Sequence, residues 1–64
     1  MKNIEYEHGY NMGYDYIQYE GGSQLRAKRE LLSRGIPLRS VHAVAFMKAI
    51  EDYRHNIPRR YKSY

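Results

Sequence analysis

Clusters of arginine and lysine are the residues whose types and spacing point most directly to chemistry. Residues 23–39 carry five cations against one glutamate, and residues 56–64 add three more cations interleaved with tyrosines. Cationic side chains bind phosphate whatever the base sequence, and aromatic rings stack on unpaired bases, which single-stranded RNA offers. The predicted nucleic-acid contacts are Arg26, Lys28, Arg29, Arg34, Arg39, Arg59, Arg60, Tyr61 and Lys62.

The serines, histidines and acids form no pattern that a catalytic mechanism requires. The chain contains no nucleophile elbow, phosphate loop or metal-binding histidine pair. Asp52 and His55 are three apart on one helix face, but no third ligand is near, so we expect both to be solvated. Cysteine is absent, which excludes disulfides and thiolate metal sites. We therefore expect no enzyme activity, no cofactor and no metal.

Tyrosine and glycine crowd the segment 6–19, which carries five tyrosines and two glycines. Spacings of three and four favour a helix over a strand there, with the glycines on one face. A glycine inside a helix costs about 1 kcal/mol relative to alanine, so the pair should allow another backbone or ring to approach closely. The tyrosines exceed what a small core needs. The predicted partner or dimer interface is Tyr6, Gly9, Tyr10, Gly13, Tyr16 and Tyr19.

Three helices follow from the capping residues and the apolar periodicity. The second helix is expected to be SQLRAKRELLSR, and the third has its apolar residues three and four apart. The predicted N-caps are Asn3, Ser23 and Ser40, and the predicted ends are Gly21–Gly22, Gly35 and about His55. Pro58 prevents a further helix, so residues 1–57 are predicted to form a helical domain and residues 58–64 a basic aromatic tail that is mobile and outside the core.

The fold class predicted is all-α, a small three-helix bundle or helical hairpin with a basic C-terminal tail. Tyrosine rings should supplement a thin core while their hydroxyls stay at the surface. A chain of 64 residues buries little surface, so we expect a homodimer. The predicted core is Ile17, Leu25, Leu31, Leu32, Ile36, Phe46, Met47 and Ile50, and the predicted polar face of the first helix is His8, Asn11, Asp15 and Gln18.

Charge and hydropathy favour a soluble, cytoplasmic protein. The formal net charge is +4, although the first 20 residues hold four acids against one lysine, a balance of −3. No signal peptide is visible, and the longest uncharged run, residues 40–47, is far shorter than the roughly 20 apolar residues of a membrane span. The separated charges indicate binding to a partner rather than a particular fold.

Two segments, HGYNMG at residues 8–13 and AFMKAIEDYR at residues 45–54, resemble the ribosome modulation factor group. The resemblance rests on Gly9, Tyr10 and Gly13, with Phe46 at a later aromatic position. It implies a small, basic, helical protein that binds the ribosome. Short glycine–tyrosine patterns of this kind are also similar to those of small phage and prophage accessory proteins, which usually bind a host protein.

The expected function is that of a non-catalytic, RNA- or ribonucleoprotein-associated modulator. The basic second helix and the tail would contact RNA. The alternative is a protein-binding regulator or inhibitor of the phage accessory type, which would dock through its tyrosine-rich first helix. Tyrosine and arginine are both enriched among the residues that dominate protein interfaces, so this alternative stays open.

Overall fold

The computed structural model describes residues 3–61 and contains three helices. They are α1 (Ile4–Glu20), α2 (Gln24–Ser33) and α3 (Val41–Arg54). The prediction of an all-α fold is confirmed, since no strand occurs within residues 3–61. No helix in that range has the length and apolar character needed to cross a bilayer.

The predicted capping residues begin all three helices. Each side-chain oxygen accepts a hydrogen bond from the backbone N–H three residues later, which satisfies a donor that the helix itself leaves unpaired. The side-chain oxygen of Asn3 accepts from the Tyr6 N–H at 3.0 Å. The hydroxyls of Ser23 and Ser40 accept from the N–H groups of Arg26 and Ala43 at 3.3 Å and 3.1 Å. At the other end of α1, Gly21 takes a φ of 70°, and its N–H bonds the Ile17 carbonyl oxygen at 3.1 Å.

Helices α1 and α3 pack with their backbones in direct contact at two glycines. A Cβ on Gly9 would lie 2.9 Å from the Cα of His42, and one on Gly13 would lie 2.8 Å from the Cα of Phe46. Both would be closer still to the carbonyl oxygens of those residues. The close approach predicted for the glycine face is therefore made by α3 of the same chain.

Two apolar clusters flank this glycine contact. The larger lies where all three helices meet, and Met12, Tyr16, Ile36 and Met47 pack around it. Its buried members are Ile17, Ala27, Leu31, Ala43, Phe46 and Ile50. The smaller consists of Tyr10, Ala45 and Ala49, against which Tyr6, Tyr14 and Tyr61 pack.

Helix α2 contributes less to the core than its leucines predict. Leu25 and Leu32 were predicted to be core residues, but they are 60% and 58% exposed. The buried residues of α2 are Ala27 and Leu31, which lie four apart on one narrow face. Because α2 packs mainly against α3 and touches α1 little, only that face is covered.

We predict that Gly9→Ala and Gly13→Ala each destabilise the fold. The added methyl group would push the α1 and α3 backbones apart, and overpacking of this kind costs about 1–3 kcal/mol. Urea denaturation measures the change in the free energy of unfolding.

The exposed Gln18 of the same helix supplies the control. Gln18→Ala should exceed Gln18→Gly in stability by about 1 kcal/mol, which is the intrinsic helix preference for alanine. A gain of that size at Gly9 or Gly13 would contradict the close contact.

Candidate nucleic-acid interface

The chain reverses after α3 and returns to the surface of α1. Asn56 adopts a left-handed φ of 61°, a conformation that asparagine tolerates better than most residues. The N–H of Ile57 then bonds the Asp52 carbonyl oxygen at 2.8 Å. The Ile57 carbonyl oxygen in turn accepts a hydrogen bond from the Tyr14 hydroxyl at 3.0 Å. The predicted tail residues 59–61 are thereby carried onto α1 and α3.

Arg60 closes a buried network centred on Asp52. The Asp52 side chain is fully buried, and its Oδ2 accepts hydrogen bonds from the Tyr10 hydroxyl at 2.6 Å and from Arg60 Nε at 2.7 Å. The Lys48 ammonium lies 3.7 Å from the other carboxylate oxygen. The expectation of a solvated Asp52 is wrong, because Ala45, Ala49 and Asp52 share the α3 face that Tyr10 and the tail cover.

The network shifts the pKa values of its members in opposite directions. Burial alone would raise the pKa of Asp52, but the hydrogen bonds from Arg60 and Tyr10 and the charges of Arg60 and Lys48 hold it below its ordinary value. Burial, assisted by the hydrogen bond to Asp52, raises the pKa of Tyr10 to about 12. Asp52 is therefore a carboxylate and Tyr10 a neutral donor at neutral pH.

Arg59 and Tyr61 are also engaged within the chain. Arg59 pairs with Asp15, donates to Asn11 Oδ1 at 3.3 Å and places its guanidinium 4.9 Å from the centre of the Tyr14 ring. Asn11 was predicted to lie on the polar outer face, but it is buried beneath this arginine. The Tyr61 ring meets the Tyr10 ring edge-on, with centroids 5.1 Å apart.

These contacts change the predicted role of the tail. Its expected place outside the core is wrong for residues 59–61, because Arg59 and Arg60 neutralise acids of the helices and Tyr61 packs against the smaller apolar cluster. An RNA phosphate would compete with Asp15 for Arg59 and with Asp52 for Arg60, although the Arg60 side chain is still 48% exposed. Lys62, the remaining predicted contact of the tail, lies outside the described residues.

The cations of α2 differ from the tail arginines in their exposure and ion pairing. Arg26, Lys28 and Arg29 are all exposed. The ion pairs within residues 3–61 are Arg34–Glu30, Lys48–Asp52, Arg59–Asp15 and Arg60–Asp52, and none of them involves these three cations. They are consequently available to an anionic ligand.

The two remaining predicted cations lie beyond or at the end of α2. Arg34 Nε is 2.6 Å from Glu30 Oε2, and its guanidinium also contacts the Met12 sulfur at 3.0 Å. Arg39 is exposed in the turn before α3. Arg39 can therefore add to the positive surface, whereas the charge of Arg34 is offset locally.

The predicted partner interface on α1 is largely occupied by the chain itself. Gly9 and Gly13 contact α3, and Tyr10 is fully buried against Asp52. Tyr6 packs edge-on against Tyr61, with centroids 6.1 Å apart, and Tyr16 packs against Phe46. Tyr19 differs from the others, being 80% exposed. The glycine face is thus used inside one chain, and the homodimer stays a prediction.

The described serines and Asp52 serve structural roles. The Ser23 and Ser40 hydroxyls cap helices, and Ser33 donates to the Glu30 carbonyl oxygen at 2.8 Å. His55 is exposed, whereas Asp52 is enclosed by its donors. Within residues 3–61, no group of three or more histidines and acids is arranged to hold a metal ion.

Comparisons of the chain with protein-family models, curated proteins and solved structures give no match. The resemblance to the ribosome modulation factor group therefore stays a prediction. The assignment of a function rests on the surface of this molecule.

We predict that Asp52→Asn lowers the free energy of unfolding by about 2 kcal/mol at neutral pH, the range for a hydrogen bond to a charged group. A carboxylate whose folded-state pKa is depressed stabilises the fold above its ordinary pKa of about 4, and that contribution disappears as the pH falls through the folded value. The gap between wild type and Asp52→Asn should close on acidification. The exposed Glu51→Gln is the matched control, and an equal effect of the two substitutions would contradict the network.

Alkaline titration should reveal Tyr10 as a late-ionising tyrosine. Phenolate absorbance should show a step near pH 12 that Tyr10→Phe removes and Tyr19→Phe retains. Because the folded-state pKa of Tyr10 is raised, its contribution to stability is present below about pH 10 and is lost as the pH rises toward 12. The same step in both variants would disprove the assignment.

Proposed function

We propose that the protein is a non-catalytic RNA- or ribonucleoprotein-binding protein that contacts phosphate through α2. The observation that carries the proposal is the exposure of Arg26, Lys28 and Arg29 without an ion pair, in contrast to the tail arginines. A helix with three exposed cations attracts a polyanion at long range and releases its counterions on binding. RNA contact then needs no rearrangement of the fold.

An exposed aromatic ring near these cations in the sequence favours single-stranded RNA. Tyr19 stands one residue before the end of α1, and Gly21–Gly22 leads directly into α2. The Arg26 side chain lies against Gly22, since a Cβ there would be 3.0 Å from the Arg26 Cδ. Tyr19 therefore replaces Tyr61 as the proposed stacking residue, because Tyr61 packs against two other rings.

The acidic character of α1 does not oppose this mode of binding. Asp15, which would repel phosphate, is neutralised by Arg59. Glu20, next to Tyr19, is exposed and directs the backbone of a bound strand toward α2 rather than along α1. The resemblance to the ribosome modulation factor group implies ribosome binding and therefore favours an RNA-rich partner.

A protein-binding regulator is the second candidate, and the surroundings of Tyr19 favour it. An open cleft beside α1 is lined by Met12, Tyr16, Tyr19 and Arg34, together with the acids Asp15 and Glu20. Tyrosine, methionine and arginine are the residues that interface cores favour over the rest of the surface. Such a partner would use Tyr19 with little dependence on salt.

Fluorescence anisotropy with labelled single-stranded RNA at several salt concentrations tests the first candidate. Arg29→Gln should weaken binding and flatten the logarithmic salt slope by about 0.7–0.9 units, because one phosphate contact is lost. Tyr19→Ala should weaken binding by about 1–3 kcal/mol through lost stacking.

Arg59→Gln is the matched control for charge, since it removes one cation that is held by Asp15. It should leave the salt slope unchanged once circular dichroism shows the variant to be folded. Equal effects of Arg29→Gln and Arg59→Gln would mean that only net charge matters. No binding at low salt would overturn the RNA proposal.

A further inference from the structure

An apolar surface is left open where α2 and α3 meet the solvent. Leu25 and Leu32 of α2, Leu38 of the connecting loop, and Val41 and Val44 of α3 are all exposed. Single exposed apolar residues are ordinary, but monomeric proteins rarely leave large contiguous groups of them in water. Five in two neighbouring helices and their connection indicate a surface that another molecule covers.

The helical spacing arranges these side chains in two rows. Leu25, Lys28 and Leu32 lie three and four apart along α2 and therefore share one face. Val44 and Met47 lie three apart along α3. An open cleft of about 400 Å³ is lined by Lys28 of the first row, by Val44 and Met47 of the second and by Leu38 of the loop, whereas Leu25 and Leu32 stand outside its lining. Two nearby helices with a cleft between them form the kind of groove in which a third helix can lie.

The charges at the edges of the cleft are mainly positive. Lys28 lines it from α2 and Lys48 from α3, whereas Glu51 is the acid that lines it. The Lys48 side chain remains 41% exposed although its ammonium lies 3.7 Å from Asp52. A ligand with an apolar centre and acidic margins would therefore match both the cleft and its edges.

We propose that this α2–α3 cleft binds an acidic amphipathic helix of a partner protein. The apolar face of that helix would contact Leu38, Val44 and Met47, and its carboxylates would meet Lys28 and Lys48. A second copy of this chain fits less well, because a two-fold interface brings the same lysine-bearing surface of both copies together. The site goes beyond the proposed RNA contact, which needs Arg29 and Tyr19 but no aliphatic surface.

A titration followed by two-dimensional NMR of the ¹⁵N-labelled full chain tests the proposal. The probe is a synthetic helical peptide with leucines at positions i, i+3, i+7 and i+10 and glutamates on the flanking positions. It should shift the amide signals of Lys28, Leu38, Val44 and Met47. A peptide with lysines in place of the glutamates should bind at least tenfold more weakly, a ratio that corresponds to about 1.4 kcal/mol.

Two pairs of variants separate apolar contact from charge. Val44→Lys should weaken binding of the glutamate peptide about tenfold, although it adds a favourable charge, as expected where a buried apolar contact is lost. Ser33→Lys adds the same charge on α2 outside the cleft lining and should change affinity less than about twofold. Lys28→Glu should be as damaging as Val44→Lys, and Arg26→Glu should have little effect because its side chain lies on the opposite side of α2 from Lys28.

Several outcomes would overturn the proposal. They are equal binding of the two peptides, shifts that map to Tyr19 and Arg29 instead of the cleft, and no shift at millimolar peptide. Shifts of the cleft amides that grow with protein concentration alone would assign the surface to a second copy. Shifts of those amides with single-stranded RNA but not with the peptide would assign it to RNA, and the RNA proposal would then survive without the helix partner.

Discussion

The contact between the α1 and α3 backbones is the constraint on which the rest of the molecule depends. Two helices can approach this closely only where one of them lacks side chains, and Gly9 and Gly13 provide that gap against His42 and Phe46. The close packing leaves no room between the helices, so the larger side chains are displaced to either side. That division produces the larger apolar cluster next to α2 and the smaller, tyrosine-rich cluster on the other side. A 64-residue chain without cysteine thereby obtains a well-defined helix pair from few large apolar residues.

The tyrosine cluster links the helix pair to the returning chain. Tyr10 and Tyr14 present hydroxyls that bond Asp52 and the Ile57 carbonyl oxygen, and leucines at those positions could not make these hydrogen bonds. Arg60 then balances the charge that Asp52 carries into the interior. The abundance of tyrosine in α1 thus has a structural cause that differs from partner binding. It also leaves the cations of α2, Arg39 and Tyr19 as the predicted site residues that remain exposed and do not hold the fold together.

The elements were more predictable than the contacts between them. Local signals sufficed for the helices, because each N-cap residue bonds a backbone group only three residues away. The burial of Ala27 instead of Leu25 was not predictable from hydrophobicity, since it depends on the direction from which α3 approaches α2. The burial of Asp52 was not predicted because its partner Tyr10 is distant in sequence. Its position on one helix face with Ala45 and Ala49 was nevertheless a signal that this face is covered. The same distinction applies to the predicted RNA site. The ion pairs of Arg59 and Arg60 are tertiary contacts with distant acids and were not predictable, whereas the exposure of the α2 cations follows from their helical positions.

The pairing of the first helix with the third has a consequence for synthesis on the ribosome. A chain is made from its N-terminus, so α1 leaves the exit tunnel while the sequence of α3 is still being translated. During that interval its glycine face has no partner, and the helix is too polar and too interrupted by glycine to persist alone in water. Tyrosines keep the nascent segment soluble during this interval because their hydroxyls remain hydrated, whereas a leucine-rich segment would associate with other exposed apolar chains before α3 is available. The same residues therefore keep the early chain dispersed and later hold the folded one together.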